Sequence, residues 1–292
     1  MGNRTRYAIV ANPASGSMAM ADRIARLKPA AAVLAAPVAG LETVSADALA
    51  RCAVAQSQRC DVLVVAGGDG TFSLVANSVD LRRTTLAFLP FGTGNALTHT
   101  LGYRGNLAAV ARQIRRGTTH RCDLIDCAGR RKAFMASLGI DGALIRRYES
   151  YRAQGWRGLR AHLRAGLAAY FRDYHPTGAR LIGDGVAWRT ERLLSLMVVK
   201  QPFFGMGLEA VPEARWDDGR LHIRTIRSGF AGALAALATG FTVGNRVGAH
   251  RTAETLTVLP DAPLTLQIDG ERGWTGRRFD FRVLPGILRL RY

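Results

Sequence analysis

Several absences narrow the classes this chain can belong to. Cysteine is scarce: Cys52, Cys60, Cys122 and Cys127 are the only four, and no two form a Cys-x-x-Cys pair. That excludes a disulfide-stapled scaffold and a cysteine-held zinc site, and fits buried free thiols in a reducing compartment. Long apolar runs are missing. The longest uncharged stretch, 228–245 (SGFAGALAALATGFTVGN), consists mostly of Ala, Gly and Thr and reads as a packed helix rather than a membrane span. The first residues lead straight into an apolar run, without the layout of a signal peptide. No GxxxxGK(S/T) loop exists, and no GxGxxG follows the first strand-like run, so Walker-type and ordinary dinucleotide-binding readings are disfavoured. His162, His175, His222 and His250 show no metal-ligand spacing. Lysine is nearly absent: Lys28, Lys132 and Lys200 are the only three of 40 basic residues, so arginine carries the formal net charge of +18. So basic a chain seeks anions, whether nucleotide phosphates, anionic lipid headgroups or nucleic acid. No nucleic-acid-reading element is recognisable, and no nucleic-acid partner is expected.

What is present suffices for a sizeable core. A length of 292 residues, 48% hydrophobic and 21% charged, excludes a disordered chain and points to two domains. Over the first part, apolar runs alternate with segments of helical spacing. Strands are expected at 7–11 (YAIVA), 31–35, 61–66 (DVLVVA) and 85–89 (TLAFL). Helices are expected at 20–27, 46–56, 71–79 and 107–115. Such alternation implies a parallel sheet covered by helices. After about residue 121 the texture changes to strand-like runs divided by turn residues, at 133–138, 192–199, 220–226, 255–259, 264–268, 279–283 and 287–292. We therefore divide the chain into an α/β domain at 1–125 and a β-rich domain at 126–292, whose last strand is free to return to the first domain.

Three glycine-rich turns follow the N-terminal strands: NPASGS at 12–17, GGDGT at 67–71 and FGTGN at 91–95. In an open α/β sheet, ligands bind outside the carboxyl ends of the strands, where all three turns fall. Glycine admits close backbone approach, and the helix starts that follow favour anions. An acid within such a turn, Asp69, would repel phosphate unless a cation or a transferable proton stood between them. This suggests water-mediated Mg²⁺ coordination or base chemistry.

GGDGT at 67–71, NPASG at 12–16 and PFGTGN at 90–95 resemble the diacylglycerol kinase catalytic-domain family, which includes bacterial lipid kinases, sphingosine kinases and ceramide kinases. The resemblance continues through ASLGIDG at 136–142, FFGMGLEAVPEA at 203–214, DDG at 217–219 and IDGE at 268–271. It implies an α/β fold: an N-terminal parallel-sheet, Rossmann-like domain of the phosphofructokinase/NAD kinase kind, plus a C-terminal antiparallel β-sandwich, with the active site in the cleft between. The implied activity is an ATP- and Mg²⁺-dependent lipid kinase, cytoplasmic and peripherally membrane-associated, acting on diacylglycerol or a sphingoid base. Asn12, Ser15 and Gly16 would line the nucleotide. Gly67, Gly68, Asp69, Gly70 and Thr71 would hold phosphates and water-bound Mg²⁺. Gly92, Thr93, Gly94 and Asn95 would complete the site, with Thr93 reaching a phosphate oxygen. Glu271 would be the base for the lipid hydroxyl, with Asp269 beside it and Asp69 as the rival. A structural Mg²⁺ would take the Asp218 carboxylate and the carbonyls of Arg215 and Arg220.

The sequence departs from the family pattern at Ser17, where a basic residue is common, at Ala96 after GTGN, and at His99, where arginine is common and a helix-packing role is expected. These changes leave the lipid undetermined. The arginine- and aromatic-rich segment 146–172 suits either an anionic membrane surface or a solvated helix face. An NAD kinase-like phosphotransferase and a non-catalytic nucleotide- or lipid-binding protein remain as alternatives. Oligomeric state is open, a homodimer included.

Overall fold

The computed structural model describes residues 5–16, 18–92, 95–156, 164–227 and 229–292. The chain divides into two units. Unit 1 comprises Met1–Leu124, Phe203–Leu208 and Pro285–Tyr292; unit 2 comprises Ile125–Pro202 and Glu209–Leu284.

In unit 1 the elements run β1 (Tyr7–Ala11), α1 (Met20–Leu34), β2 (Val38–Ala39), α2 (Ala46–Ser57), β3 (Val62–Gly67), α3 (Asp69–Ser78), β4 (Thr85–Pro90), α4 (Ala96–Thr100) and α5 (Leu107–Arg116). β1 and β3 are buried at every position, as a parallel sheet with both faces covered requires. Tyr7 pairs with Val62 and Val62 with Thr85, all in parallel. Phe72 of α3 meets Phe88 of β4 edge-to-face at 5.6 Å, clamping helix to sheet. Ser45 and Asn106 cap α2 and α5, accepting from Ala48 N and Ala109 N.

One expected strand is overturned. The 31–35 segment reads as a strand, but Ala31 to Leu34 extend α1, and the edge strand is the two-residue β2. The alanines are strong helix formers, and the helix continues through Pro29 to a left-handed Ala35.

Unit 2 holds β5 (Thr119–Cys127, from Ile125), β6 (Arg131–Ala133), β7 (Met135–Gly139), α6 (Ile140–Ala153), β8 (Thr177–Gly183) and β9 (Val186–Val199). The short β10 (Phe203–Phe204) that follows in sequence belongs to unit 1, and β11 (Leu208–Glu209) falls at the boundary of the two units. Then come β12 (Leu221–Arg227), α7 (Phe230–Gly240), β13 (Ala249–Ala253), β14 (Thr255–Pro260), β15 (Leu264–Ile268), β16 (Glu271–Gly276) and β17 (Phe279–Arg291). Neighbouring strands run antiparallel in the order β16-β15-β7-β9-β8-β14-β17, with β12 also on β9 and β13 on β12. Their inward residues, among them Leu181, Leu196, Leu256 and Phe279, form the core of a β-sandwich. β17 serves both units: Leu256 pairs with Phe281 early in the strand, and Leu290 pairs with Leu86 of β4 in parallel near its end.

The apolar stretch 228–245 is helical over α7, yet only Gly240 of that helix is buried. The expectation of a packed helix fails because α7 lies on the surface of unit 2, its leucines and phenylalanines open to solvent. Among the described residues no helix is long and apolar enough to cross a membrane.

Candidate active site

The three glycine turns of unit 1 converge through specific hydrogen bonds. Asn12 N donates to Ala66 O at 3.1 Å, tying the end of β1 to the end of β3. The Asn12 side chain accepts from Ala14 N at 2.8 Å and donates to Thr71 Oγ1 at 2.8 Å. Thr71 Oγ1 lies 3.4 Å from Ser15 Oγ. One buried threonine hydroxyl thus joins the first turn to the second. Gly16, at φ 71°, makes the sharp exit that a Cβ would resist.

The second and third turns nearly touch. Phe91 N and Gly92 N both donate to Gly67 O, at 2.8 and 3.2 Å. A Cβ on Gly92 would lie 2.8 Å from Gly68 Cα, and one on Gly67 would lie 2.5 Å from Thr71 Cβ. Gly68 is the N-cap of α3 without a side-chain cap, and Gly70 lies in the first turn. The first-turn N–H groups there have no carbonyl one turn back to receive them. Asn95 Nδ2 donates to Gly92 O at 3.0 Å, and Asn95 Oδ1 is buried beside Gly68 with no partner. A cradle that side chains would fill, an uncapped helix start and an orphaned acceptor fit a nucleotide with its phosphates. Thr93 and Gly94 lie outside the described residues, as does Ser17.

Asp69 has a structural task. Its Oδ2 accepts from Ala96 N at 2.7 Å and its Oδ1 from Leu97 N at 3.1 Å, so it caps α4 from the neighbouring turn. Burial pushes its carboxyl above the ordinary value, and the two N–H donors offset this only in part. His99 packs, as expected, against Phe203 at 5.4 Å between ring centres.

The other candidate acids lie in unit 2. Asp269 and Gly270, at φ 48° and 84°, form the two-residue turn between β15 and β16, with Ile268 paired to Glu271. Asp269 is a clamp: its Oδ1 accepts from Phe134 N and Met135 N, each at 3.0 Å. Glu271 holds an ion pair with Arg131 at 2.8 Å and is 54% exposed. Among the expected Mg²⁺ ligands Arg215, Asp218 and Arg220 the structure places a buried lysine. Asp218 Oδ1 and the Arg220 carbonyl both accept from Lys200 Nζ, at 2.7 and 2.5 Å, so an ammonium stands where the cation was expected. Among the described residues no group of three His, Cys, Asp or Glu is placed to hold a metal.

Three residues escaped the sequence reading. Arg23 is buried and donates to the carbonyls of Ser15 and Met18, bracing the first turn. Its signal was its place on the buried stripe of α1 with Leu27, Ala30 and Leu34. Asp141 receives the Ser195 hydroxyl at 2.5 Å, and desolvation pushes its carboxyl up to about 6 against hydrogen bonds that pull it down. Lys200 follows an apolar strand, where a charge ordinarily marks the exit to solvent, and gave no signal.

The comparisons with known proteins follow the same division. The pattern described as "Diacylglycerol kinase catalytic domain" matches residues 6–127, and "YegS C-terminal NAD kinase beta sandwich-like domain" matches residues 135–292. A Stenotrophomonas maltophilia (strain K279a) protein named "Probable lipid kinase YegS-like" is 29% identical over 245 residues, covering 79% of this chain and 78% of the relative. A Staphylococcus saprophyticus protein named "Diacylglycerol kinase" is 26% identical over 292 residues, covering 92% and 90%. Among solved structures, a diacylglycerol kinase from Bacillus anthracis str. Sterne superposes with TM-score 0.75 at 19% identity, covering 99% of this chain and 97% of that one. An NAD kinase from Archaeoglobus fulgidus, solved in complex with ATP, gives 0.53 at 12% identity, covering 98% and 93%. These two show the fold alone.

Proposed function

Because the chain belongs to the family of YegS-like lipid kinases built on a diacylglycerol kinase catalytic domain, we propose that it transfers the γ-phosphate of ATP, with Mg²⁺, to the hydroxyl of a lipid such as diacylglycerol or a sphingoid base. The observation that carries this is the close approach of the Gly68 and Gly92 turns over the uncapped start of α3. Asn12, Ser15 and Gly16 line the nucleotide in this reading, and Gly67 to Thr71 hold its phosphates. Gly92 to Asn95 close the site, with the orphaned Asn95 Oδ1 accepting a nucleotide donor. Mg²⁺ would neutralise charge on the transferring phosphate, and transfer of this kind is mostly positioning and electrostatics. Glu271 takes the proton of the lipid hydroxyl. Its half-exposed carboxylate suits that task better than Asp69, both of whose oxygens receive backbone N–H groups, or Asp269, whose Oδ1 is committed to the backbone.

The acceptor is insoluble, so the enzyme works at a bilayer, and unit 2 has a face suited to it. Phe230, Leu234, Leu237, Phe241 and Val243 are exposed on and after α7, and the 66% exposed Phe171 packs against Phe230 with its ring tilted by 39° at 5.4 Å. The arginine excess of the chain suits anionic headgroups at such a face. We place the enzyme in the cytoplasm, peripherally bound to the membrane.

Phosphate transfer from labelled ATP with Mg²⁺ tests the proposal. Acceptors are mixed micelles of diacylglycerol, sphingoid base, monoacylglycerol or phosphatidylglycerol, with NAD alongside. Label in one lipid is expected. Label in NAD alone would replace the lipid reading with the NAD kinase one, and ATP binding without any transfer would favour a non-catalytic binding protein.

A further inference from the structure

In unit 2, the loop that resembles a divalent-cation site carries its own positive charge. Lys200 directly follows β9, is 0% exposed, and is anchored by its backbone N, which donates to Phe134 O at 2.8 Å. Its Nζ donates to Asp218 Oδ1 at 2.7 Å and to the Arg220 carbonyl at 2.5 Å. These are two of the three oxygens the family resemblance assigns to Mg²⁺. Asp218 has further partners: Oδ1 accepts from Arg220 N at 3.1 Å, and Oδ2 lies 2.8 Å from His222 Nε2.

Mg²⁺ demands near-octahedral oxygens at about 2.0–2.1 Å. An ammonium directing its protons at the same two oxygens already fills that position. A divalent ion beside it would meet a like charge a few ångströms away, next to a buried ammonium where repulsion is poorly screened. We infer that Lys200 is the resident cation of this loop: its ammonium replaces the divalent metal, and unit 2 holds its fold without Mg²⁺. Any Mg²⁺ requirement of the protein then belongs to the nucleotide. This inference stands apart from the phosphotransfer reading, because its test reads unfolding and not turnover.

The test uses the nucleotide-free full chain, dialysed against EDTA, with thermal unfolding followed with and without millimolar MgCl₂. The wild type, Lys200→Met and Asp218→Asn are compared. The wild-type Tm is expected to be the same in EDTA and in Mg²⁺. Lys200→Met is expected to lower Tm by roughly 5–15 °C, since it removes a buried ammonium and strips Asp218 of that charge partner. A Mg²⁺-induced rise of the wild-type Tm that disappears in Asp218→Asn would overturn the inference. So would a Lys200→Met protein with wild-type Tm. If Lys200→Met does not fold, the comparison of wild type with Asp218→Asn decides the matter alone.

Discussion

Gly92→Ala probes the cradle most directly. The added methyl would stand 2.8 Å from Gly68 Cα, 2.9 Å from Asn95 Oδ1 and 3.1 Å from Gly68 N. Carbon atoms settle at about 3.5–4.0 Å, so the two turns must part by roughly 1 Å. The bonds that hold them, Phe91 N and Gly92 N to Gly67 O, lengthen as they part. Gly92 is not among the positive-φ glycines, so alanine meets no backbone penalty there and the cost is steric. Overpacking of this kind costs ~1–3 kcal/mol. The loss of unfolded-chain freedom on Gly→Ala returns ~0.4–1 kcal/mol. The net, up to about 2.6 kcal/mol, is a fall in Tm of up to roughly 10 °C. The larger effect falls on ligand binding, because a displacement of ~1 Å in a positioned site costs about 10²-fold in function. Differential scanning fluorimetry and titration with a fluorescent ATP analogue measure the two effects. Gly232→Ala is the control, since nothing lies within 4 Å of the methyl it would add and it sits in α7. That variant should keep its nucleotide affinity. A Gly92→Ala protein with wild-type Tm and wild-type affinity would refute the reasoning, because the two turns would then not form a tight binding surface.

The other predictions are briefer. Glu271→Gln should fold and bind ATP but lose at least ~10²-fold in lipid phosphorylation; near-normal turnover would move the base to Asp69. Asp141 has a folded-state value of about 6 against an ordinary 3.8, so it binds its proton more tightly in the fold. Its contribution to stability is therefore full below pH ~4 and lost as pH rises through ~6, by up to ~3 kcal/mol. Asp141→Asn should accordingly flatten the fall in Tm across that window, and an unchanged pH profile would count against the raised carboxyl. The double variant Leu234→Glu, Leu237→Glu should fold normally but sediment at least about tenfold less with anionic vesicles; full retention of vesicle binding would place the lipid-facing surface elsewhere.

The binding cradle was legible because its motifs are local. Each turn is a few contiguous residues after an apolar strand, and the parallel-sheet rule puts all three at one edge. IDGE at 268–271 was legible only through the resemblance, and β16 after it was missed because two glycines and an arginine weaken its strand pattern. The 31–35 strand was misread because a short apolar run of alanines ends a helix as readily as it makes a strand. The packing of α7 was misread because an all-apolar helix gives no stripe to show which side, if any, is covered.

The sequence by itself determined the α/β-then-β order and the place of the glycine turns, because these depend on neighbours within a few residues and on backbone freedom at glycine. Tertiary structure alone decided which acids are committed. Asp269 is joined to Phe134 across 135 positions, Asp69 to Ala96 across 27, and Lys200 to Asp218 across 18. It alone brought Phe203–Leu208 and the end of β17 into the first unit. For the committed side chains the physical reason is common. A buried charge is defined by the partner that compensates it. That partner is set by how strands register and stack, and no short window of sequence contains both halves of the pair.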